Sequence, residues 1–184
     1  MKRESLKETS RMVVKFGTGI LTNRSKQIDP GQIEQLVAQV AAQRQAGREV
    51  VVVSSGAVGG GMGALGMTQR PADLSDLQAC AAVGQLKLMA AYSELFAKHD
   101  LQVAQVLLTH DDLEHRERHL NARNTLVSLL DKGVVPIVNE NDAVSYTELK
   151  FGDNDWLAAL VACLLPADLL ILLKIGRASC RERV

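Results

Sequence analysis

Between residues 139 and 155 the chain gathers carboxylates and carboxamides in two places. Asn139-Glu140-Asn141-Asp142 is followed, after a ten-residue spacer, by Asp153-Asn154-Asp155. Acidic side chains packed this close repel one another unless a cation stands between them. An ammonium group, a lysine or Mg²⁺ would serve. Two solvated turns rich in helix-capping residues would give a similar pattern. A second cluster, Lys15-Phe16-Gly17-Thr18-Gly19, sets a cation just before a turn with two glycines. Glycines let backbone N–H groups crowd around a phosphate while the lysine supplies charge. An ordinary strand-to-loop turn reads the same way. The third cluster is residues 54–66 (SSGAVGGGMGALG), with six glycines in thirteen residues. It reads either as a flexible loop or as backbone approaching a small anionic ligand, with the Ser55 hydroxyl adding a hydrogen bond.

Several familiar chemistries do not fit. Gly61, Gly63 and Gly66 match GxGxxG, but the first lies well past the expected strand. No strand-terminal acid follows about 20 residues on, which argues against a dinucleotide fold. His110, His115 and His119 stand near Asp111 and Asp112, yet Arg116-Glu117-Arg118 fills the space between the last two histidines, so HExxH is absent. A solvated, salt-bridged helix face is the expectation there. Neither GxxxxGK[ST] nor GxSxG occurs, which argues against P-loop nucleotidases and α/β-hydrolases.

The elements that must position these residues follow from periodicity and punctuation. Residues 12–16 (MVVKF) are an apolar run ending at Gly17, the signature of a buried strand meeting a turn. Asp29-Pro30 is an N-cap followed by proline at the first helical position, and Ile33, Leu36, Val37 and Val40 repeat at helical spacing. A helix over 30–46 stopped by Gly47 follows. Strands are expected at 49–53, 101–108, 134–138 and 168–173, and helices at 74–82, 84–98, 119–131 and 154–165. A hairpin is expected over 143–151. The alternation predicts an α/β fold, a three-layer α/β/α sandwich with a mostly parallel central sheet. Lys15–Gly19, Ser54–Gly56 and Asn139–Asp142 would each follow a strand, at the edge where open α/β sheets bind ligands.

Composition narrows the classes further. The chain has 184 residues, 47% hydrophobic and 23% charged, enough for one domain with its own core. Aromatics are only 3% and the formal net charge is zero, so neither a base-stacking surface nor the electrostatic footprint of a nucleic-acid binder is present. Cys80, Cys163 and Cys180 are odd in number and form no CxxC pair, which fits free thiols in a reducing compartment. No apolar run reaches the ~18 residues of a membrane span. A cytoplasmic protein with no membrane partner is expected. After Leu173 the chain reads KIGRASCRERV, with four basic residues and no periodicity. Residues 174–184 are expected to be a non-native tail, with a native basic tail as the alternative.

The chain resembles the amino-acid kinase family, on VVKFGTG (13–19), VVVSSGAVGGG (51–61), AAVGQ (81–85), LLTHDD (107–112), HLNARNTL (119–126), VVPIVNENDAV (134–144) and FGDNDWLAALVA (151–162). The likeness runs in order over about 12–173, which would form the glutamate-binding part of such a domain, incomplete at the C-terminus. It implies transfer of the ATP γ-phosphoryl group to the side-chain carboxylate of L-glutamate, with Mg²⁺ bridging the nucleotide phosphates and no metal held by the protein itself. By motif, Lys15 would stabilise the transferring phosphoryl group and Asp155 would hold the lysine. Gly17, Thr18 and Gly19 would take the phosphates. Ser55, Asn139, Asp142, Asn154 and Asp153 would bind glutamate. Two departures stand out: Gly19 replaces the family's usual serine, and Lys174 with unrelated sequence replaces the nucleotide-binding half. The resemblance also implies a homo-oligomer, dimer or tetramer, and inhibition by proline.

Overall fold

The computed structural model describes residue 6 and residues 8–23, 28–145 and 154–175. Five strands carry the core: β1 (Arg11–Phe16), β2 (Glu49–Ser54), β3 (Val103–Leu108), β4 (Val135–Glu140) and β5 (Leu169–Leu173). Their order across the sheet is β3-β4-β2-β1-β5, and every pairing is parallel. The expectation of a mostly parallel sheet is borne out. Parallel neighbours cannot be joined by tight turns, so each connection carries helices: α1 (Thr18–Leu21) and α2 (Pro30–Gln45), then α3 (Ala57–Ala64) and α4 (Leu74–Ala97), α5 (His110–Glu114) and α6 (Arg116–Asp131), and α7 (Asn154–Leu164).

Both faces of the central strands are apolar because both are covered. Met12, Val14, Phe16, Val50, Val52, Val135 and Ile137 face one layer, where α2 contributes Ile33, Val37 and Val40 and α4 contributes Leu88, Tyr92, Leu95 and Phe96. Val13, Val51, Val53 and Val138 face the other, packed against Leu126 and Leu130 of α6 and Leu157, Ala158 and Val161 of α7. The three-layer sandwich is thus a direct reading of period-2 strands with no polar face. At the start of α2, Asp29 accepts hydrogen bonds from the N–H groups of Gly31 and Gln32 with Pro30 inside the first turn, as the sequence indicates.

Two expectations need correction. The helices expected over 74–82 and 84–98 are one 24-residue helix, α4. Gly84 does not break it. A Cβ there would stand 1.7 Å from the Ala57 carbonyl oxygen, and one at Gly61 would stand 1.7 Å from that of Cys80. These glycines exist so that α3 and α4 can touch backbone to backbone. Of the two readings of the glycine-rich 54–66 segment, the flexible loop does not hold, since the segment folds into α3 over most of its length. The hairpin expected over 143–151 lies largely outside the described residues.

Candidate functional site

Strand register brings the relevant ends together. Phe16 of β1 pairs with Ser54 of β2 on one side and Leu173 of β5 on the other, and Val53 of β2 pairs with Val138 of β4. The first turns after these strands therefore share one edge of the sheet. Lys15 alternates with Val14 and Phe16 and so points to the layer that contains α7. It is 4% exposed, and burial of an ammonium group demands a partner. Asp155, in the first turn of α7, supplies it: Lys15 Nζ lies 2.7 Å from Asp155 Oδ1. Lys174, just past β5, donates to Oδ2 of the same carboxylate. Burial raises the pKa of Asp155, but hydrogen bonds and charge from Lys15 and Lys174 outweigh it and hold the carboxyl below the usual range. The helix N-terminus favours the anion as well.

One residue earlier, Asn154 is buried and the two hydrogens of its Nδ2 are shared among three acceptors, Ser55 Oγ at 2.9 Å, Asn139 Oδ1 at 2.8 Å and the Ser54 carbonyl. Ser55, Asn139 and Asn154, far apart in sequence, thus form one hydrogen-bonded group joined through α7 to the Lys15–Asp155 pair. Because Ser55 Oγ accepts from Asn154, its own hydrogen is left for another acceptor. Gly56, at φ +96, turns the chain from β2 into α3 in a conformation that favours glycine. Next to Ser55, Ser54 Oγ shares a 2.8 Å hydrogen bond with Tyr92 OH, whose phenol burial pushes well above its ordinary pKa.

Asn139 uses both ends of its amide within the protein. Its Oδ1 accepts from Asn154 and from the Glu140 N–H, and its Nδ2 donates to Gln85 Oε1 at 2.8 Å. Asp142 lies in the turn after β4, which Gln78 holds to α4 by donating to the Ser145 carbonyl. A cleft of about 280 Å³ opens here, with Ala57, Ala81, Leu86 and Leu107 as apolar wall and Gln85, Gln105, Glu140 and Asp142 as polar groups. Burial, then the neighbouring Asp142 charge, pushes Glu140 up to about 7, with His110 and Ser145 pulling the other way. Burial pushes Asp142 up to about 6 against the opposing charge of Arg70. Two half-buried carboxyls so poised are suited to receive a cationic group.

At the first turn, Gly17 N–H donates to the Leu173 carbonyl at 2.8 Å and is committed to the sheet. The N–H groups of Thr18 and Gly19 stand in the first turn of α1, where no intrahelical acceptor exists. A Cβ on Gly19 would come 3.2 Å from Ile175 Cδ1, so the glycine that departs from the family pattern sits against Ile175. Asp153 lies outside the described residues. The histidine region forms a charged surface, with His110 3.0 Å from Glu114 and Arg118 3.3 Å from Asp112. Among the described residues no three His, Cys, Asp or Glu side chains are grouped to hold a metal, and no helix is long and apolar enough to cross a membrane.

Gln85, which carries Asn139, was not singled out by sequence reasoning, although AAVGQ belongs to the motif set. Its signal was legible: Leu77, Ala81, Gln85, Leu88 and Tyr92 repeat at helical spacing, so a glutamine falls on the buried stripe of α4. Arg70 gave no such signal, since nothing in its neighbourhood is periodic.

Against known proteins, residues 10–175 match the model of the amino acid kinase family. The chain is 53% identical over 171 residues to the glutamate 5-kinase of Azoarcus sp. (strain BH72), covering 93% of this chain and 46% of that protein. It is 54% identical over 173 residues to the glutamate 5-kinase of Geobacter sp. (strain M21), covering 94% and 46%. The glutamate 5-kinase of Marinomonas sp. (strain MWYL1) is 53% identical over 171 residues, again covering 46% of the relative. The chain therefore spans less than half the length of these curated relatives. With a family match over nearly all of its length, laid on a parallel sheet whose strand ends gather the motif residues, the chain belongs to the amino-acid kinase family.

Proposed function

We propose that the full-length protein containing this chain transfers the γ-phosphoryl group of ATP to the side-chain carboxylate of L-glutamate, giving γ-glutamyl phosphate and ADP, the first step toward proline. The observation that carries this reading is the buried Lys15–Asp155 pair set beside the Ser55–Asn139–Asn154 group. A carboxylate that attacks a polyanion must overcome like-charge repulsion, about 4 kcal/mol for one pair at 4 Å and an effective dielectric of 20. Lys15, held in place by Asp155, supplies the fixed positive charge. The N–H groups of Thr18 and Gly19 add donors. Phosphoryl transfer asks mainly for positioning and electrostatic stabilisation. The attacking carboxylate is already ionised, so no general base is required, in keeping with a site built without histidine or cysteine. Ser55 Oγ–H and the backbone N–H of Asn154, in the first turn of α7, would hold the substrate carboxylates, Asn139 would act through the Asn154 side chain, and Asp142 would face the ammonium. Asp153 remains a proposed contact. Mg²⁺ would arrive on the nucleotide phosphates as part of the substrate, with the Asp155 carboxylate held by Lys15.

Hydroxylamine trapping tests this. Full-length protein with ATP, Mg²⁺ and L-glutamate should yield the hydroxamate, and the 184-residue chain far less. No hydroxamate from saturated full-length protein would end the proposal. A panel of other carboxylate acceptors would redirect it if one outcompeted glutamate. The second reading, a chain that binds glutamate without turnover, rests on the Ser55–Asn139–Asn154 group alone. Calorimetry showing binding without product would support it. Residues 12–173 would then be the glutamate-binding part and 174–184 a non-native tail, which sequencing the gene across codon 174 would test. A cytoplasmic homo-oligomer that responds to proline completes the reading.

A further inference from the structure

The side-chain amides at the sheet edge form a chain with one direction. Asn154 Nδ2 donates to Asn139 Oδ1 at 2.8 Å, Asn139 Nδ2 donates to Gln85 Oε1 at 2.8 Å, and Gln85 Nε2 donates to Gln105 Oε1 at 3.3 Å. The direction matters because an amide has one acceptor end and one donor end. If Asn139 turned over, its NH₂ would face the NH₂ of Asn154 and the N–H of Glu140, two donors with no acceptor. Gln85 secures the same orientation from the other end, because its carbonyl oxygen gives the Asn139 NH₂ its acceptor. Gln85 is itself 8% exposed and rigidly based, beside Gly84 where α4 touches α3. Gln105, at the far end, is exposed on β3 and constrains the chain little.

We propose that Gln85 is a positioning residue for the substrate-binding group. By accepting from Asn139 Nδ2 it anchors the Asn139 amide in that orientation, and through it the Asn154 NH₂ that holds Ser55 Oγ as an acceptor and so turns the Ser55 hydroxyl hydrogen toward the ligand. This rests on the reading that Ser55 and Asn154 contact glutamate. The expected consequence is energetic coupling between two residues linked through Asn139 and Asn154 and sharing no hydrogen bond of their own. Loss of Gln85 should weaken L-glutamate binding about tenfold, the scale of one misdirected hydrogen bond. In a Ser55→Ala background the same change should cost little, because the group it orients is gone.

The test is a double-mutant cycle on the 184-residue chain, with Gln85→Leu, Ser55→Ala and their combination titrated with L-glutamate, alongside the side-chain amide NMR resonances of Asn139 and Asn154 without ligand. Shifted amide resonances in Gln85→Leu together with non-additive affinities support the proposal. Additive affinities, or amide resonances unmoved by Gln85→Leu, overturn it. If the wild-type chain binds no glutamate, the reading of the substrate fails while the amide resonances still decide the role of Gln85. Should Gln85→Leu not fold, Gln85→Asn, shorter by one methylene, withdraws the same acceptor and is read by the same resonances.

Discussion

Lys15 is an ammonium group buried to 4% exposure, and only a compensating carboxylate makes that tolerable. If it stands where negative charge accumulates during phosphoryl transfer, Lys15→Ala in the full-length protein should lower turnover by about 10²- to 10³-fold, the scale seen when one electrostatic donor is removed. Steady-state hydroxamate formation checks this, and glutamate affinity should change much less. The two acidic residues of the cleft make a separate prediction. Their folded pKa values, about 7 for Glu140 and about 6 for Asp142, lie above the ordinary 4.5 and 3.8. The native state therefore holds protons more tightly than the unfolded chain, and stability falls as pH rises. That contribution is complete below about pH 4 and is lost through about pH 7. Asp155 and Asp112, held below their ordinary values, act on the acid side of this window. Thermal melts from pH 4.5 to 7.5 should show wild type losing stability relative to Glu140→Gln; parallel curves would refute the assignment. At this scale the sequence was informative about residue type and silent about polarity. Asn139 was legible as a site residue, but that it faces Asn154 and Gln85 with both ends of its amide depends on a helix 54 residues away in the chain.

Among the elements, strands and capped helices could be read because each rule is local: Asp29-Pro30 opens α2, and Gly47 and Gly133, at φ +82 and +75, close helices. The failures were glycines used for something other than chain reversal. At Gly61 and Gly84 the requirement is the backbone of another helix, which no local pattern encodes. Gly84→Ala should force α3 and α4 apart and destabilise the chain by roughly 1–3 kcal/mol, the usual cost of overpacking. Gly66→Ala meets nothing within 4 Å and suffers only its φ of +67, about 1–2 kcal/mol. Only the first should also disturb Ser55, because α3 begins two residues later. Denaturant midpoints of the two variants, compared with glutamate affinity, separate these effects.

For the molecule as a whole, β5 is the point of exposure. Its sequence, LLILL, has the two-faced apolar character of an interior parallel strand, yet among the described residues it pairs on one side with β1 and most of its side chains are only half-buried. An apolar edge strand recruits other chains. The 184-residue chain should therefore self-associate in a concentration-dependent way, visible by sedimentation velocity; a monodisperse, cooperatively melting monomer would contradict this. The fold class was legible from alternation alone, whereas the sheet order β3-β4-β2-β1-β5 was not, because it is set by which faces of distant helices fit together.

The most direct measurement is amide and side-chain NMR of the chain titrated with L-glutamate and, in parallel, with glutarate, which lacks the ammonium group. L-glutamate should shift Lys15, Ser55, Asn154 and Asp142 together in one saturable event, and glutarate should bind more weakly and leave Asp142 least affected. Shifts confined to other surfaces, or equal binding of both compounds, would contradict a site in which these strand ends jointly hold an amino acid beside Lys15.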